Sequence, residues 1–356
     1  MATDTITSPT AAPRVARVGT VDARSAHDAH RDIPQTGYRL GVVAVVAAAA
    51  LWGLGGVLAE SLFRHGVQPL DLVGVRTYLT ALGLGLILAL RRRRRGRIHG
   101  PAARGAPRAD QSNLLNLRDR ARALTSLRRA DVLGFGLSIG VANAALFTAI
   151  RLLPVAAAMV LQSLAPVLVV GWECVRSRSR PSAVVLIGLA VALPGVALVA
   201  GSTGPAGSRL DPAGVLAGLV TAVGVAAFAL FGHSVTRTRG AIEANALAFT
   251  VSAAGWMIYE LCHGLPGSLL DASVLPGVLG VSVLGTLLPF VLFAWGSERT
   301  GAASGALSIC LEPAFGAVLA WMWLGQGLSA IQILGAALVT GAVAAIQYST
   351  YRRRIR

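Results

Sequence analysis

The sequence predicts an all-α integral membrane protein of ten transmembrane helices, arranged as two inverted five-helix repeats. Three observations predict it: uncharged apolar stretches of span length recur, arginine is confined to alternate connections, and the second half of the chain matches the first at a fixed offset. The 356 residues are 54% hydrophobic and only 13% charged, roughly half the charged share of an ordinary soluble domain. A soluble globule is excluded. The length instead accommodates about ten spans at roughly 20 apolar residues each, with their connections.

Residues 1–38 mix Thr, Ala, Asp, His, Pro and Arg without an apolar run, which predicts a disordered cytoplasmic tail and no secretory signal. Residues 41–58 carry no charge and residues 72–90 carry one, Arg76. These are spans one and two. Residues 91–130 then bring thirteen arginines among Pro, Gly and polar residues, predicting a long cytoplasmic surface loop. Further apolar runs cover residues 132–150, 152–172, 181–201 and 212–234, giving spans three to six. A shorter run follows at residues 245–259, then 274–297, 302–325 with only Glu312, and 328–351. The chain closes on a basic cytoplasmic tail at residues 350–356.

Orientation follows from the arginines, which concentrate on the cytoplasmic side of short loops. Lysine is absent, and with the amino terminus inside, twenty-eight of the 32 basic residues fall in cytoplasmic segments. The outer connections hold only Arg64, Arg151 and Arg209. Both termini are therefore expected in the cytoplasm. A net charge of +16 would point to nucleic acid if it were spread over a soluble surface, but these blocks sit between spans and read as membrane anchors. No nucleic-acid partner is expected. Cys174, Cys262 and Cys310 are too few and scattered for a disulfide framework or a metal cluster, so neither metal nor cofactor is expected.

Shifting the chain by 147 positions sets Pro166 on Pro313, Gly188 on Gly335 and residues 186–191 on 333–338. A shift of 174 sets His65-Gly66 on Arg239-Gly240, and the difference of 27 is the basic loop, present between spans two and three only. Two repeats result, 39–201 and 212–349. Five spans is an odd number, so the second copy must enter the membrane in the opposite sense. Such inverted repeats place a solute site near the midplane between the halves and work by alternating access.

This pattern resembles the drug/metabolite transporter superfamily, and within it the EamA-type transporters. Leu51-Trp52-Gly53 in span one, Arg76 early in span two, Pro166 in span four, Glu312-Pro313 in span nine, and Gly188 and Gly335 opening spans five and ten carry the resemblance. It covers roughly residues 41–348. It implies a ten-span secondary transporter of the inner or plasma membrane, of a kind that commonly exports amino acids, metabolites or drugs. One departure stands out: where the family commonly has a Glu thirteen residues after each proline, this chain has Ser179 and Gln326.

Among the candidate site residues, Glu312 is foremost, because an ionisable group inside a span costs several kcal/mol unless it faces water, a partner or the bundle interior. It is a candidate for proton coupling or for pairing with an amine solute. Pro166 and Pro313 each remove an amide donor and open the helical ladder, at equivalent positions of the two halves. Paired helix breaks point to a midplane binding region. Arg76, one turn inside span two, is expected to snorkel toward Asp71 or Glu60, with contact to a substrate carboxylate as the sharper alternative. Trp52, Asn143, Gln162 and Ser163 lie near span centres and could line a cavity or join helices. Glu173, His233, Glu260 and His263 fall near span ends, where solvation is expected.

No Gly-x-Ser-x-Gly elbow, Walker loop or His-Glu-x-x-His occurs, so no enzyme is indicated and ATP-driven pumping has no motif behind it. The sequence thus reads as a gradient-driven carrier of a small organic solute, outward in direction, embedded in the cell membrane as a monomer or homodimer. The alternative is a membrane scaffold or assembly subunit whose Arg-rich loop binds anionic lipid or a cytoplasmic partner.

Overall fold

The structure is a computed structural model that describes residues 35–98, 129–176, 178, 183–201, 210–264, 269, 271–300 and 309–355. Every regular element among them is helical. In chain order these are α1 (Gln35–Arg64), α2 (Pro69–Ile98), α3 (Arg129–Leu152), α4 (Val155–Gln162), α5 (Ala165–Arg176), α6 (Ala183–Gly201), α7 (Pro212–Arg239), α8 (Ala241–His263), α9 (Leu275–Ser282), α10 (Leu288–Thr300), α11 (Glu312–Leu324) and α12 (Ala330–Ile355). A single π-helical turn, Val283–Leu287, joins α9 to α10. Among the described residues eight helical segments are long and apolar enough to cross a membrane: α1, α2, α3, the α4–α5 pair, α7, α8, the α9–α10 pair and α12. The protein is a multi-pass membrane protein.

Two predicted spans remain. Predicted span five is α6, whose apolar part is Ala183–Val199, and span nine is described only from residue 309. Most of the predicted tail, residues 99–128 of the Arg-rich loop, Ser179 and Arg209 lie outside the described residues.

Several boundaries differ from the sequence reading. Helix α1 begins at Gln35, inside the predicted tail, α2 continues through the arginine run to Ile98, and α12 runs through the predicted basic tail to Ile355. Hydropathy marks where lipid ends, whereas a hydrogen-bond ladder continues into water when the next residues form helix well, as arginine does. Elsewhere the ends follow local chemistry. Asp211 caps α7, its Oδ1 accepting from the Ala213 amide at 2.8 Å, with Pro212 opening the helix. Gly240 then turns the chain directly into α8 with φ of 81°, a conformation costly for any residue with a Cβ.

Small residues let the helices approach closely, as packing within lipid requires. Helix α3 lies along α7, α6 along α12, α1 along both α10 and α11, and α8 against α2 and α3. One of the tightest crossings among the described residues is Gly55 of α1 on Gly285 of the π turn: a Cβ on Gly55 would lie 2.6 Å from the Gly285 Cα. The extra residue of the π turn is partly served by Thr286, whose Oγ1 donates to the Val281 carbonyl at 3.2 Å. Around this crossing an apolar cluster joins Val57, Phe63, Leu72, Phe147, Ile150, Met159, Val278 and Ala320. It ties the ends of α1, α3, α9 and α11 to the starts of α2 and α4.

Gly55→Val should therefore lower stability by about 1–3 kcal/mol through overpacking. Gly85→Ala, on an exposed helix face with open space around it, should be neutral or stabilising by about 0.5–1 kcal/mol. Thermal unfolding of the two variants in detergent checks the contrast.

Candidate functional site

Proline chemistry places the two central polar side chains. Pro166 has no amide to offer the Gln162 carbonyl, and its ring crowds that carbonyl, so α4 stops at Gln162 and α5 begins at Ala165. Predicted span four is thus two helices, broken at Ser163 and Leu164. Pro313 acts differently, because at the first turn of α11 its missing donor removes no helical bond. Glu312 is the first residue of that helix, where free amides and the macrodipole favour a carboxylate. The two meet: Gln162 Nε2 donates to Glu312 Oε1 at 3.0 Å, with Glu312 only 7% exposed.

Three helices converge on this pair. Gly316, one turn beyond Glu312, faces Gly53 of α1, where a Cβ would lie 2.8 Å from the Gly316 amide nitrogen. Met159 of α4 packs its sulfur into the space that a side chain on Gly316 would need. Trp52 points elsewhere, to Phe290 at 5.4 Å edge-on and Phe293 at 5.5 Å. Ser163 spends its hydroxyl on the Met159 carbonyl of its own turn, at 2.9 Å. Of the sequence candidates, then, Glu312 and Gln162 are brought together, Trp52 joins an aromatic cluster, and Ser163 finishes a helix end.

Arg76 and Asn143 form a second pair. Arg76 Nη2 donates to Asn143 Oδ1 at 2.8 Å, and the guanidinium lies 4.4 Å from the centre of the Phe147 ring. The expected pairing with Asp71 or Glu60 does not form. Asp71 is five residues away and off the Arg76 face of the helix, while Glu60 is taken by Arg64 at 3.1 Å. Arg76 does not snorkel but is buried, at 6% exposure.

Sequence reasoning missed two groups. Glu260, assigned to a solvated span end, is 4% exposed and accepts from the Tyr78 hydroxyl at 2.8 Å. Its other oxygen packs where a side chain on Gly74 would sit. Gly74 and Tyr78, four residues apart on one face of α2, were the available signal. Glu173, His233 and His263 are exposed as expected.

The second missed group is built on Gln326, the position where a carboxylate was looked for. Its Oε1 accepts from the Val155 amide at 3.1 Å and its Nε2 donates to Glu60 Oε1 at 3.4 Å. Arg64 adds a bond to the Leu324 carbonyl at 3.3 Å. One neutral amide therefore caps α4 and holds a carboxylate of α1, with Arg64 supplying the charge. The described residues include no cluster of His, Cys, Asp and Glu placed for a metal.

Gln326→Ala strips the cap from Val155 and a donor from Glu60, and should cost about 1–3 kcal/mol. In a double-mutant cycle with Glu60→Gln, measured by thermal unfolding, the two losses should fall short of additive by at least about 0.5 kcal/mol.

The model of the EamA-like transporter family matches residues 39–201 and again 212–348. An uncharacterized inner membrane transporter of Salmonella typhimurium, YicL, is 25% identical over 323 residues, covering 88% of this chain and 97% of its own. The uncharacterized transporter YcbK of Bacillus subtilis is 24% identical over 188 residues, 51% of this chain and 60% of its own. One solved crystal structure shares the fold, with a TM-score of 0.51, 19% identity, and coverage of 86% of this chain and 98% of that one. The chain belongs to the EamA-like transporter family.

Proposed function

We propose that this protein is a gradient-driven carrier of a small organic solute in the cell membrane, working outward by alternating access. The observation that carries the reading is the Gln162–Glu312 hydrogen bond: a buried carboxylate at the mouth of one half-helix, met by an amide at the end of another. Their prolines are the pair that the 147-residue shift superposes. Glu312 has a neutral partner, so its charge is left for a proton or an ammonium group to answer. A solute donor that displaces Gln162 would separate the two helices it joins.

The packing supports two inverted five-span halves. Exchanging each span for its counterpart five further on maps the α1–α10 contact onto α7–α3, and leaves α2–α8, α4–α11 and α6–α12 each paired with themselves. Finer detail follows the same rule. Gly188 packs on Ile346 and Ala342, while Gly335 packs on Gly195; the 147-residue shift carries the pair Gly188 and Ala342 onto Gly335 and Gly195. A two-fold axis in the membrane plane between α6 and α12 accounts for both contacts.

In the inverted arrangement with cytoplasmic termini, the apolar cluster around Phe63, Phe147 and Met159 lies on the outer side, together with the Glu60–Arg64–Gln326 group. This side is packed among the described residues. Rocking of one half against the other would have to part the bonds of Gln326 to Val155 and Glu60. Those bonds are polar and replaceable by water, and they border the apolar cluster on the same side.

Flux of a confirmed solute in proteoliposomes, with and without an imposed pH gradient, tests the reading. Glu312→Gln keeps a group of the same shape beside Gln162 and removes the titrating one. Gradient-driven flux should fall at least about tenfold, or about 1.4 kcal/mol. Equal flux by wild type and variant at every pH would end the coupling role of Glu312. Deleting residues 100–125 should leave flux intact, whereas complete loss would favour a scaffold built on the Arg-rich loop.

A further inference from the structure

We propose that Arg76 and Asn143 form a binding subsite for a carboxylate, the acidic group of the transported solute. The solute's identity as cargo rests on the carrier reading above, but the anion site itself does not. The two side chains are bonded to each other at 2.8 Å and both are more than nine-tenths buried. Each retains an unused donor: Arg76 Nε and Asn143 Nδ2 are buried and have no hydrogen-bond partner. Two spare N–H groups on one hydrogen-bonded unit match the two oxygens of a carboxylate.

Charge points the same way. No carboxylate lies within ion-pair distance of Arg76 among the described residues. The Phe147 ring at 4.4 Å offers a quadrupole, which attracts the guanidinium but brings no opposite charge to balance an ion inside the bilayer. Internal rescue is blocked by helical geometry. Glu260 sits over Gly74 and Tyr78, two residues either side of Arg76 and hence about 200° around α2. Asp71 is off the face, and Glu60 is bonded to Arg64 and Gln326. A single guanidinium with one amide beside it balances a monoanion, so a carboxylate suits it better than a phosphate dianion.

Thermal unfolding of the full-length detergent-solubilised protein with matched probes tests this. The probes are leucine, its deaminated acid 4-methylpentanoate, its decarboxylated amine 3-methylbutylamine, acetate, and inorganic phosphate. Leucine and the two simple carboxylates should raise the unfolding temperature by mass action; any rise with the amine belongs to Glu312 and should survive Arg76→Gln. Arg76→Gln should weaken the carboxylate response at least tenfold and Arg76→Lys less. Asn143→Asp, which supplies an internal carboxylate, should raise the unfolding temperature without any ligand and abolish the response to acids.

The proposal is overturned by a wild type indifferent to every carboxylate, by an amine response that is lost in Arg76→Gln, by a stronger response to phosphate than to acetate, or by an Arg76→Gln protein that responds to the acids as wild type does. An Asn143→Asp protein that is less stable, or still responds to acids, overturns it as well. Proteoliposome flux separates the two readings. Acids that bind through Arg76 but never cross the membrane sink the carrier and keep the site; flux untouched by Arg76→Gln does the reverse.

Discussion

A helix broken inside a bilayer leaves backbone groups that lipid cannot hydrate, and each must find a partner from the protein or from water. That constraint organises the centre of this molecule. The break before Pro166 and the fresh start at Glu312 occur where α1, α4 and α11 meet. Met159 answers two groups at the end of α4, its carbonyl accepting from both the Ser163 amide and the Ser163 hydroxyl. Glu312 places its carboxylate at the mouth of α11, where amides lack carbonyl partners. A polar centre thus follows from two prolines.

Close helix approach is the second consequence of an apolar solvent, since lipid gives helices no hydrophobic reason to associate. Contacts must come from shape. Gly53 on Gly316, Gly55 on Gly285 and Gly195 on Gly335 bring backbones together where side chains would hold them apart. Neighbouring side chains fill in around them, Met159 at Gly316 and Val199 at Gly335. The π turn at Val283–Leu287 lies at one of them, and the helix spacing there is set by Gly285 having no side chain.

The sequence made the helical class, most spans and the central pair legible, because hydropathy and proline act locally. Glu312 and Gln162 could be named from their depth in apolar runs. What joined them could not, since the contact crosses 150 residues of chain. Arg76 shows the same limit from the other side: a cation one turn from a span end has a local escape to water, and only the fold reveals that Phe147 and Asn143 hold it inside. Glu260 failed for the converse reason. Three residues from a helix end, it looked wet, but Tyr78 and the gap at Gly74 draw it inward. Helix ends beyond the lipid were misjudged because apolar runs report solvent, whereas arginine-rich segments keep a helical ladder without it.

Four charged-type side chains are buried among the described residues: Glu60, Arg76, Glu260 and Glu312. Glu60 alone has an opposite charge beside it, Arg64. The other three meet neutral groups: Asn143, Tyr78 and Gln162. A neutral donor or acceptor fixes the geometry of an ion but leaves its field unbalanced, and in a low dielectric that imbalance is felt strongly. A fully paired interior would be more economical for a protein that only had to persist in a membrane. Arg76, Glu260 and Glu312 are instead held by neutral partners, so an opposite charge, or for the carboxylates a proton, would complete what each neighbour leaves open. Glu60 and Arg64 sit at the end of α1, while Glu312 stands where α11 meets the end of α4. If the protein is the carrier proposed above, the complete pair belongs to the packing of the bundle and the incomplete ones to the path of its solute.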